Sequence, residues 1–588
     1  MIKSSKTRRE FLKTTLAGGA ALTAGISLMG ESACRNEKPQ QPATGPGPLP
    51  QPLDPSNVTL RGELGNRLQT ATYNVLARPE RYPLESFASS ASSKPGALWY
   101  DWPGDQIGRF LSVLHLAEGY GWTPAAAKRA AIGDVILPLQ TPEGNFGAPG
   151  TAKSNDVKIL SGNAFALRGL MDAYSDTKEP RYLEGGRRLA RFFESIAPAW
   201  ETKRDGKLHE FYGHCLDGLV ALYELAGDSW ALDLARRLAS HAGRTSHTHH
   251  SLSLCRGLVD LGRLTCEKAY MDRVEDFLAY CRESMAVTGG HPESLPAYNE
   301  DEGCALSDWV VVNLLMFQGT GEERYLDAAE HTLVNHFSFN QFVTGGFGHR
   351  SFAQDIVGGK DWQGWEGKFG SENPGCCSMW GAWGLGQVGR YVIMSSGDDV
   401  LVNLYAPADV DLPERGIHIT MTSDYPGMSR ARLHVCTEGD GRFALGLRIP
   451  PWAGGIEVTR AGKPVSHASS GRRLNLDGPW KNGETVDIHF KSGLRLVSWP
   501  AKDKPGFGVF DGPLCFGLPD SAADVSLAWA VLADAAGHPV LDRQGRPQLA
   551  EPSGRMTTGL APISSDWQYP DVHKPRRWRV LFARKATA

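Results

Sequence analysis

The sequence predicts a multidomain α plus β protein, in which a closed barrel of paired helices precedes an antiparallel β-sandwich. From about residue 75 to 395, apolar residues recur at helical spacing in roughly a dozen stretches. After about residue 398, short alternating runs separated by turn residues replace this pattern. The helical stretches share no fixed-period repeat, which favours a closed α/α barrel over a helical solenoid, the other arrangement open to paired helices.

The predicted helical domain covers residues 59–397. Ile107, Phe110, Leu111 and Leu114 illustrate the three-four spacing that places apolar side chains on one helix face. Further helices are predicted near 79–97, 123–138, 165–171, 189–193, 212–226, 229–241, 250–264, 268–285, 305–318, 323–337 and 378–394.

The predicted sandwich covers residues 398–520. Its alternating runs are typical of strands with one buried face. They lie at 401–405, 417–421, 431–435, 443–449 and 486–490. Residues 521–588 are less regular, and no structure is predicted for this C-terminal segment.

The first residues carry an export pattern. Thr7 to Lys13 reads TRREFLK, a twin-arginine motif, and the apolar run after it, 16–29, is shorter than the ~20 residues that a spanning helix needs. We therefore predict a signal peptide at 1–34 and a periplasmic or extracellular protein. Cys34 lies where a lipoprotein cysteine would, but the residues before it fit a lipobox poorly, so cleavage is favoured over lipidation. Pro-rich residues 35–58 are predicted to be a linker.

Composition excludes several partners. The 588 residues carry a formal net charge of -3, which gives no general attraction to nucleic acid or anionic lipid. No later segment has the apolar length of a membrane span. The ten cysteines show no disulfide framework. The oligomeric state stays open.

One group of residues can bind a metal. Glu302-Gly303-Cys304 and Cys376-Cys377 each precede a predicted helix, and one carboxylate with three thiolates suffices for a tetrahedral zinc ion. Adjacent cysteines share an ion only if the backbone is tight, which Pro374-Gly375 can provide. Simple burial, a vicinal disulfide and a purely structural zinc are alternatives, and spacing alone slightly favours burial.

Several stretches make the sequence resemble glycoside hydrolase family 127, the β-L-arabinofuranosidase family, from about residue 100 to 518. The Glu-x-Cys and Cys-Cys pair is the most specific of them. The matching stretches are DQIGRF at 105–110, QTPEG at 140–144, YGH at 212–214, TGG at 288–290, EGCA at 302–305, CC at 376–377, LVNLY at 401–405, LRIPPWA at 447–453 and DGPL at 511–514.

The resemblance implies an (α/α)6 barrel followed by β-sandwich domains, and a zinc ion held by Glu302, Cys304, Cys376 and Cys377. It implies that Cys376 is the nucleophile of a retaining mechanism. A free thiol has a pKa of about 8.5, and a bound metal deprotonates it, so that the thiolate can attack an anomeric carbon.

The remaining site residues also follow from the resemblance. Glu293 matches the acid/base, although its loop is shorter than the family pattern, and a solvated loop carboxylate is the alternative for it. Glu300 is a weaker candidate for the same role. Four residues are assigned to the sugar. They are His214, His247, Asp105 and Gln106. An earlier family histidine is replaced by Asn163 or Ala164, which leaves the exact sugar open.

These inferences together indicate an exported glycoside hydrolase that releases a terminal furanose, β-L-arabinofuranose above all, from glycans. A polysaccharide lyase on the same barrel is one alternative. A lyase needs a Tyr or His base and a carboxylate neutraliser rather than a thiolate zinc site. A non-catalytic sugar-binding protein with a structural zinc is the other alternative.

Overall fold

A computed structural model describes the protein from residue 48 to 587, except for 79–81, 96–100, 151–156, 202–213, 296–299, 360–374, 428, 466–471, 502–504, 569 and 571–575. The predicted signal peptide, Cys34 and most of the predicted linker lie outside these residues.

The described helices form an (α/α)6 barrel, as predicted. Six inner helices alternate along the chain with six outer ones. The inner helices are α3 (Asp105–Gly119), α5 (Val157–Thr177), α7 (Leu216–Ala226), α9 (Thr248–Thr265), α11 (Gly303–Thr320) and α13 (Cys376–Gly389). The outer helices are α1 (Gly62–Leu76), α4 (Ala125–Ile136), α6 (Pro180–Glu201), α8 (Ser229–His241), α10 (Lys268–Arg282) and α12 (Glu323–Thr332), and the short α2 (Leu84–Ser92) packs beside α4.

Neighbour contacts show that the barrel is closed. Each inner helix packs on the next, and α13 returns to contact α3, so the solenoid alternative is excluded. The inner helices are buried on nearly every side: in α11 only Leu315, Gly319 and Thr320 are not buried. Outer helices such as α8 bury one stripe and expose the rest, as expected for amphipathic helices.

The common direction of the inner helices determines where their N-terminal residues meet. Because an outer helix runs back between each inner helix and the next, the inner helices are parallel and their N-terminal ends share one mouth of the barrel. Residues from the first turns of α3, α9, α11 and α13 accordingly meet there, as the contacts below show. The partial positive charges of these helix ends favour anionic side chains at this mouth.

The strands that follow the barrel pair mainly in two sheets, which confirms the predicted sandwich. One sheet has the order β1-β4-β5-β9-β12 and the other β11-β10-β13-β8-β7-β6-β2. The strands are β1 (Gln51–Pro52), β2 (Val58–Leu60), β4 (Ile393–Ser396), β5 (Asp399–Val402), β6 (Ala408–Leu412), β7 (Ile417–Ser423), β8 (Arg430–Thr437), β9 (Leu445–Arg448), β10 (Ile456–Arg460), β11 (Lys463–Pro464), β12 (Arg473–Leu476) and β13 (Glu484–Phe490).

Two smaller sheets complete the structure. The first has the order β14-β15-β16-β21-β3, with β20 on β16, and the second has the order β19-β18-β17-β22. Their strands are β3 (Ile356–Gly358), β14 (Leu494–Trp499), β15 (Gly506–Asp511), β16 (Leu514–Pro519), β17 (Ala530–Ala533), β18 (Leu549–Ala550), β19 (Met556–Thr557), β20 (Ala561–Pro562), β21 (Arg577–Arg579) and β22 (Ala583–Ala586). The described part of the C-terminal segment 521–588 is therefore built mainly of short strands.

The structure corrects two predicted boundaries. The end of the predicted linker 35–58 is not linker, because Gln51–Pro52 pairs with β4 and Val58 begins a strand that pairs with β6. The predicted helix 378–394 ends at Gly389, and Ile393 already belongs to a strand. Helix α1 was not predicted as such, because two glycines and many polar residues hide its apolar stripe.

Candidate metal centre and active site

The first turns of α11 and α13 bring the four predicted metal-binding residues together. One ligand atom from each of Glu302, Cys304, Cys376 and Cys377 lies within 4.8 Å of the other three. The Sγ of Cys304 is 3.7 Å from that of Cys377, and the Sγ of Cys377 is 3.9 Å from that of Cys376. The latter distance excludes a vicinal disulfide, whose S–S bond would be about 2.05 Å.

Glycine between the two α11 ligands permits this approach. A Cβ on Gly303 would stand 3.2 Å from the Cβ of Cys377 and 3.0 Å from both Phe347 and Asn340. A larger residue at 303 would therefore push α13 away from α11. The segment before it is also fixed, since Asp301 accepts hydrogen bonds from Asn340 Nδ2 at 2.9 Å and the Arg350 backbone at 2.8 Å.

The four residues fit a soft divalent cation. Three thiol sulfurs and one carboxylate match the donors of tetrahedral zinc sites. Glu302 is 4 % exposed, and its Oε2 has no hydrogen-bond partner. A buried carboxylate oxygen without a partner is costly, and a metal ion would satisfy it.

Cys376 differs from the other two thiols. It is 8 % exposed, whereas Cys304 and Cys377 are fully buried. Hydrogen bonds from both neighbours and the charge of Arg109 lower the pKa of Cys376 well below its usual value, although burial opposes this. Burial raises the pKa of Cys304 and of Cys377. The thiol that solvent can reach is therefore also the one that ionises first.

Glu293 faces this cluster from the loop before α11. Its Oε1 is 3.3 Å from His247 Nε2, and its Oε2 is 4.0 Å from His349 Nδ1. Burial alone would raise the pKa of Glu293, but the hydrogen bond from His247 and the charge of His349 outweigh it and lower the pKa to about 2. Burial and the charge of Glu293 raise the pKa of Glu302. Between these two facing carboxyls, burial and mutual repulsion raise the pKa of Glu302, whereas the two histidines lower that of Glu293.

The predicted sugar residues also lie at this mouth, but most are engaged by protein groups. His214 Nδ1 lies 3.1 Å from Ser161 Oγ, and its Nε2 lies 3.1 Å from the carbonyl oxygen of His250. Asp105 accepts from Arg109 Nε at 2.9 Å, and Gln106 accepts from Ser86 at 2.8 Å. His247 is the most open of them, with its side chain 27 % exposed. Their contact with a sugar stays a prediction.

Asn163, one of the two residues predicted to stand at the position of the family histidine, has a structural role. Its Oδ1 accepts from the Phe146 backbone at 2.7 Å, and its Nδ2 donates to the Phe146 and Ile159 carbonyls at 3.0 and 2.9 Å. Glu300, the second acid/base candidate, forms another possible metal-binding group with Glu293 and His349, whose ligand atoms lie within 4.8 Å of one another.

Sequence reasoning missed two residues beside the sulfurs. His349 Nε2 is 3.6 Å from Cys377 Sγ, and Arg109 Nη1 is 3.8 Å from Cys304 Sγ. Arg109 stands in the matching stretch 105–110, which could have identified it. His349 stands in no motif, and only the fold brings it to the site.

The buried histidines of the mouth predict a pH-dependent stability. Burial lowers the pKa of His249 to about 4 and those of His214 and His250 well below their usual value. As the pH falls below about 6.5, the unfolded chain takes up protons that the folded chain refuses, so the free energy of unfolding falls by on the order of 1.4 kcal/mol per pH unit for each histidine.

Urea unfolding between pH 7.5 and pH 5, with chelator and reductant present, measures this slope. The slope should be smaller in His250→Gln. It should not change in His538→Gln, whose side chain is 73 % exposed. Equal slopes for all three proteins would contradict the assignment.

Comparison with known proteins decides the family. Two family models match the chain in order: the β-L-arabinofuranosidase GH127 catalytic domain over residues 163–349, and the GH127 middle domain over residues 399–492. The chain belongs to glycoside hydrolase family 127. This GH127 protein is thus an enzyme, a glycoside hydrolase of the β-L-arabinofuranosidase type. Glu302 and Cys304 lie inside the matched catalytic segment, whereas Cys376 and Cys377 lie beyond it.

Solved structures share the fold over most of this GH127 chain. A GH127 β-arabinofuranosidase superposes with a TM-score of 0.70 at 18 % identity, covering 92 % of this chain and all of the other. A GH127 β-L-arabinofuranosidase from Geobacillus stearothermophilus T6 gives a TM-score of 0.69 at 16 % identity, covering 90 % of this chain and 100 % of that one. Among curated proteins, no sequence match is found.

Among the described residues, no helix combines the length and the apolar character that a bilayer span requires.

Proposed function

We propose that this protein is an exported, retaining, zinc-dependent glycoside hydrolase that releases terminal β-L-arabinofuranose from glycans. The observation that carries the proposal is the convergence of Glu302, Cys304, Cys376 and Cys377 within 4.8 Å, with Cys376 as the thiol that solvent reaches. The twin-arginine motif supports export to the periplasm or beyond. The substrate partner is a carbohydrate.

Glu302, Cys304, Cys376 and Cys377 would hold the zinc ion. A bound zinc ion would keep the thiols deprotonated at neutral pH and would neutralise part of their charge. The other steps belong to side chains of the chain.

Cys376 starts the reaction. Its Sγ attacks C1 of the sugar and forms a C–S bond, while the bond from C1 to the leaving oxygen breaks. Glu293 gives its proton to that oxygen. Glu293 then takes a proton from water, whose oxygen attacks C1 and displaces Cys376, so that two inversions retain the configuration at C1.

The surroundings of Glu293 suit this exchange of protons. His247 and His349 stabilise the carboxylate that accepts a proton from water. When four anionic ligands hold a 2+ ion, the cluster keeps two negative charges by formal count (2+ against 4-). Because these charges face Glu293, they favour its protonated form and bring its pKa toward the range that an acid needs.

Hydrolysis of an aryl β-L-arabinofuranoside, with zinc content measured on the same sample, tests the proposal. The α- or β-configuration of the first product, followed by NMR, tests retention. A zinc-free but fully active enzyme would overturn the metal assignment. An unsaturated product absorbing in the ultraviolet would favour the lyase alternative, and sugar binding without turnover would favour the binding protein.

Glu293→Gln tests the acid/base. We expect kcat to fall by roughly 10²- to 10⁴-fold, because this is what a positioned proton donor contributes. The loss should be smaller for aryl substrates, whose leaving groups need less protonation, and added azide should restore turnover as a glycosyl azide. The matched variant Glu300→Gln should lose far less. Equal losses in the two variants would remove Glu293 from this role.

A further inference from the structure

The guanidinium of Arg109 lies against the metal centre from the barrel interior. It is 3 % exposed, and its three nitrogens have three different partners: Nε donates to Asp105 at 2.9 Å, Nη1 to Cys304 Sγ at 3.8 Å, and Nη2 to His249 Nε2 at 3.0 Å. Its plane packs on the Phe165 ring, 3.7 Å from the centroid. An arginine held on this many sides has one available geometry.

His249 connects Arg109 to buried residues of the other inner helices through hydrogen bonds. Because its Nε2 accepts from Arg109, its Nδ1 carries the proton and donates to Asp308 Oδ2 at 2.7 Å. Asp308 is fully buried and also accepts from Trp380 Nε1 at 2.7 Å and from Arg256. This hydrogen-bond chain joins α3, α9, α11 and α13, so it couples the helices that present the ligands.

Charge gives Arg109 a second task. The four anionic ligands exceed a divalent ion by two charges, by the formal count above. A buried excess of negative charge is costly unless a cation lies beside it. Arg109 supplies one positive charge next to Cys304, and its ion-pair partner Asp105 binds Nε rather than the Nη1 that meets the sulfur.

We propose that Arg109 is a positioning residue of the metal centre: its N–H donor to Cys304 orients that thiolate and its charge offsets the ligand charge. The inference rests on the proposed function, because it concerns the same ion. A partner of this kind that touches a metal ligand typically changes metal affinity by about 10- to 100-fold when it is lost.

Zinc affinity of Arg109→Gln and Arg109→Lys, measured by competition with a chromophoric chelator, tests this. We expect affinity to fall by about 10- to 100-fold in Arg109→Gln and by less in Arg109→Lys, which keeps the charge but not the fork. The Co²⁺-substituted proteins should show a shifted thiolate-to-cobalt absorption band in both variants.

Arg129→Gln is the matched control. Arg129 is 1 % exposed and ion-paired with Asp176 at 2.6 Å, but it lies on the outer helix α4. The Arg129→Gln protein should be less stable than wild type but should bind zinc with the same affinity. Unchanged affinity and an unchanged cobalt band in Arg109→Gln would overturn this inference and leave the metal centre standing. A wild type that binds no zinc would instead overturn the proposed function itself.

Discussion

Replacing Cys376 with serine is expected to lower kcat/KM by on the order of 10⁴-fold or more, as removal of a hydrolase nucleophile does. The hydroxyl of serine is a far weaker nucleophile than a thiolate, and it offers a harder donor to a soft metal site. Steady-state hydrolysis of the aryl arabinofuranoside measures the loss. Mass spectrometry of wild type quenched during turnover should find the sugar on the peptide that contains Cys376.

Two variants separate the two tasks of Cys376. Cys304→Ser removes a ligand but no nucleophile, so added zinc should restore part of its activity, whereas zinc should not rescue Cys376→Ser. Cys515→Ala removes a buried cysteine of strand β16 that belongs to no predicted metal or catalytic group, and it should leave turnover intact. Sugar found on another residue, or full activity in Cys376→Ser, would rule out this nucleophile.

Removal of the metal is expected to abolish hydrolysis and to destabilise the protein. Without an ion, three thiols and a carboxyl remain packed within 4.8 Å, with Glu302 Oε2 buried and unbonded. A ligand present at 1,000 times its Kd adds about 4 kcal/mol of apparent stability, which chelation would take away. Thermal unfolding at several buffered concentrations of free zinc measures the effect, and activity should return in parallel.

Cys377→Ala is the control variant for this experiment, because it lacks one of the four proposed zinc ligands. We expect it to unfold at the same temperature with or without zinc. If prolonged exposure to a chelator changed neither the activity nor the melting temperature of the wild type, the prediction that the metal supports both hydrolysis and stability would be wrong.

The fold class could be predicted because apolar residues recur at helical spacing in the first part of the chain and alternate at strand spacing in the second. The inner helices were found even though they are buried on nearly every side, since length and flanking turns identified them. Closure of the ring was only favoured by the sequence, because it depends on the contact between α13 and α3, some 260 residues apart in order.

The candidate site was predictable where two residues share a turn. Glu302 with Cys304, and Cys376 with Cys377, each stand in one first turn of a helix, so their types and spacing are visible locally. His349 and Arg109 were missed because their proximity to the sulfurs arises from packing between distant segments. The sugar-binding prediction for His214 depended on resemblance alone, and only the structure shows that protein groups already engage both of its ring nitrogens.

The pairing of β2 with β6 has a consequence for the order of folding. Val58–Leu60 leaves the ribosome long before its partner Ala408–Leu412, and every residue of the barrel is synthesised between the two strands. Until that partner arrives, the first strand has an unsatisfied edge, and the loop it must close spans the entire catalytic domain. Contacts of such long range make folding slow, and the β2–β6 pair can form only after synthesis has passed residue 412. A chaperone that protects this early strand would therefore raise the yield of active enzyme more than one that acts on the finished chain.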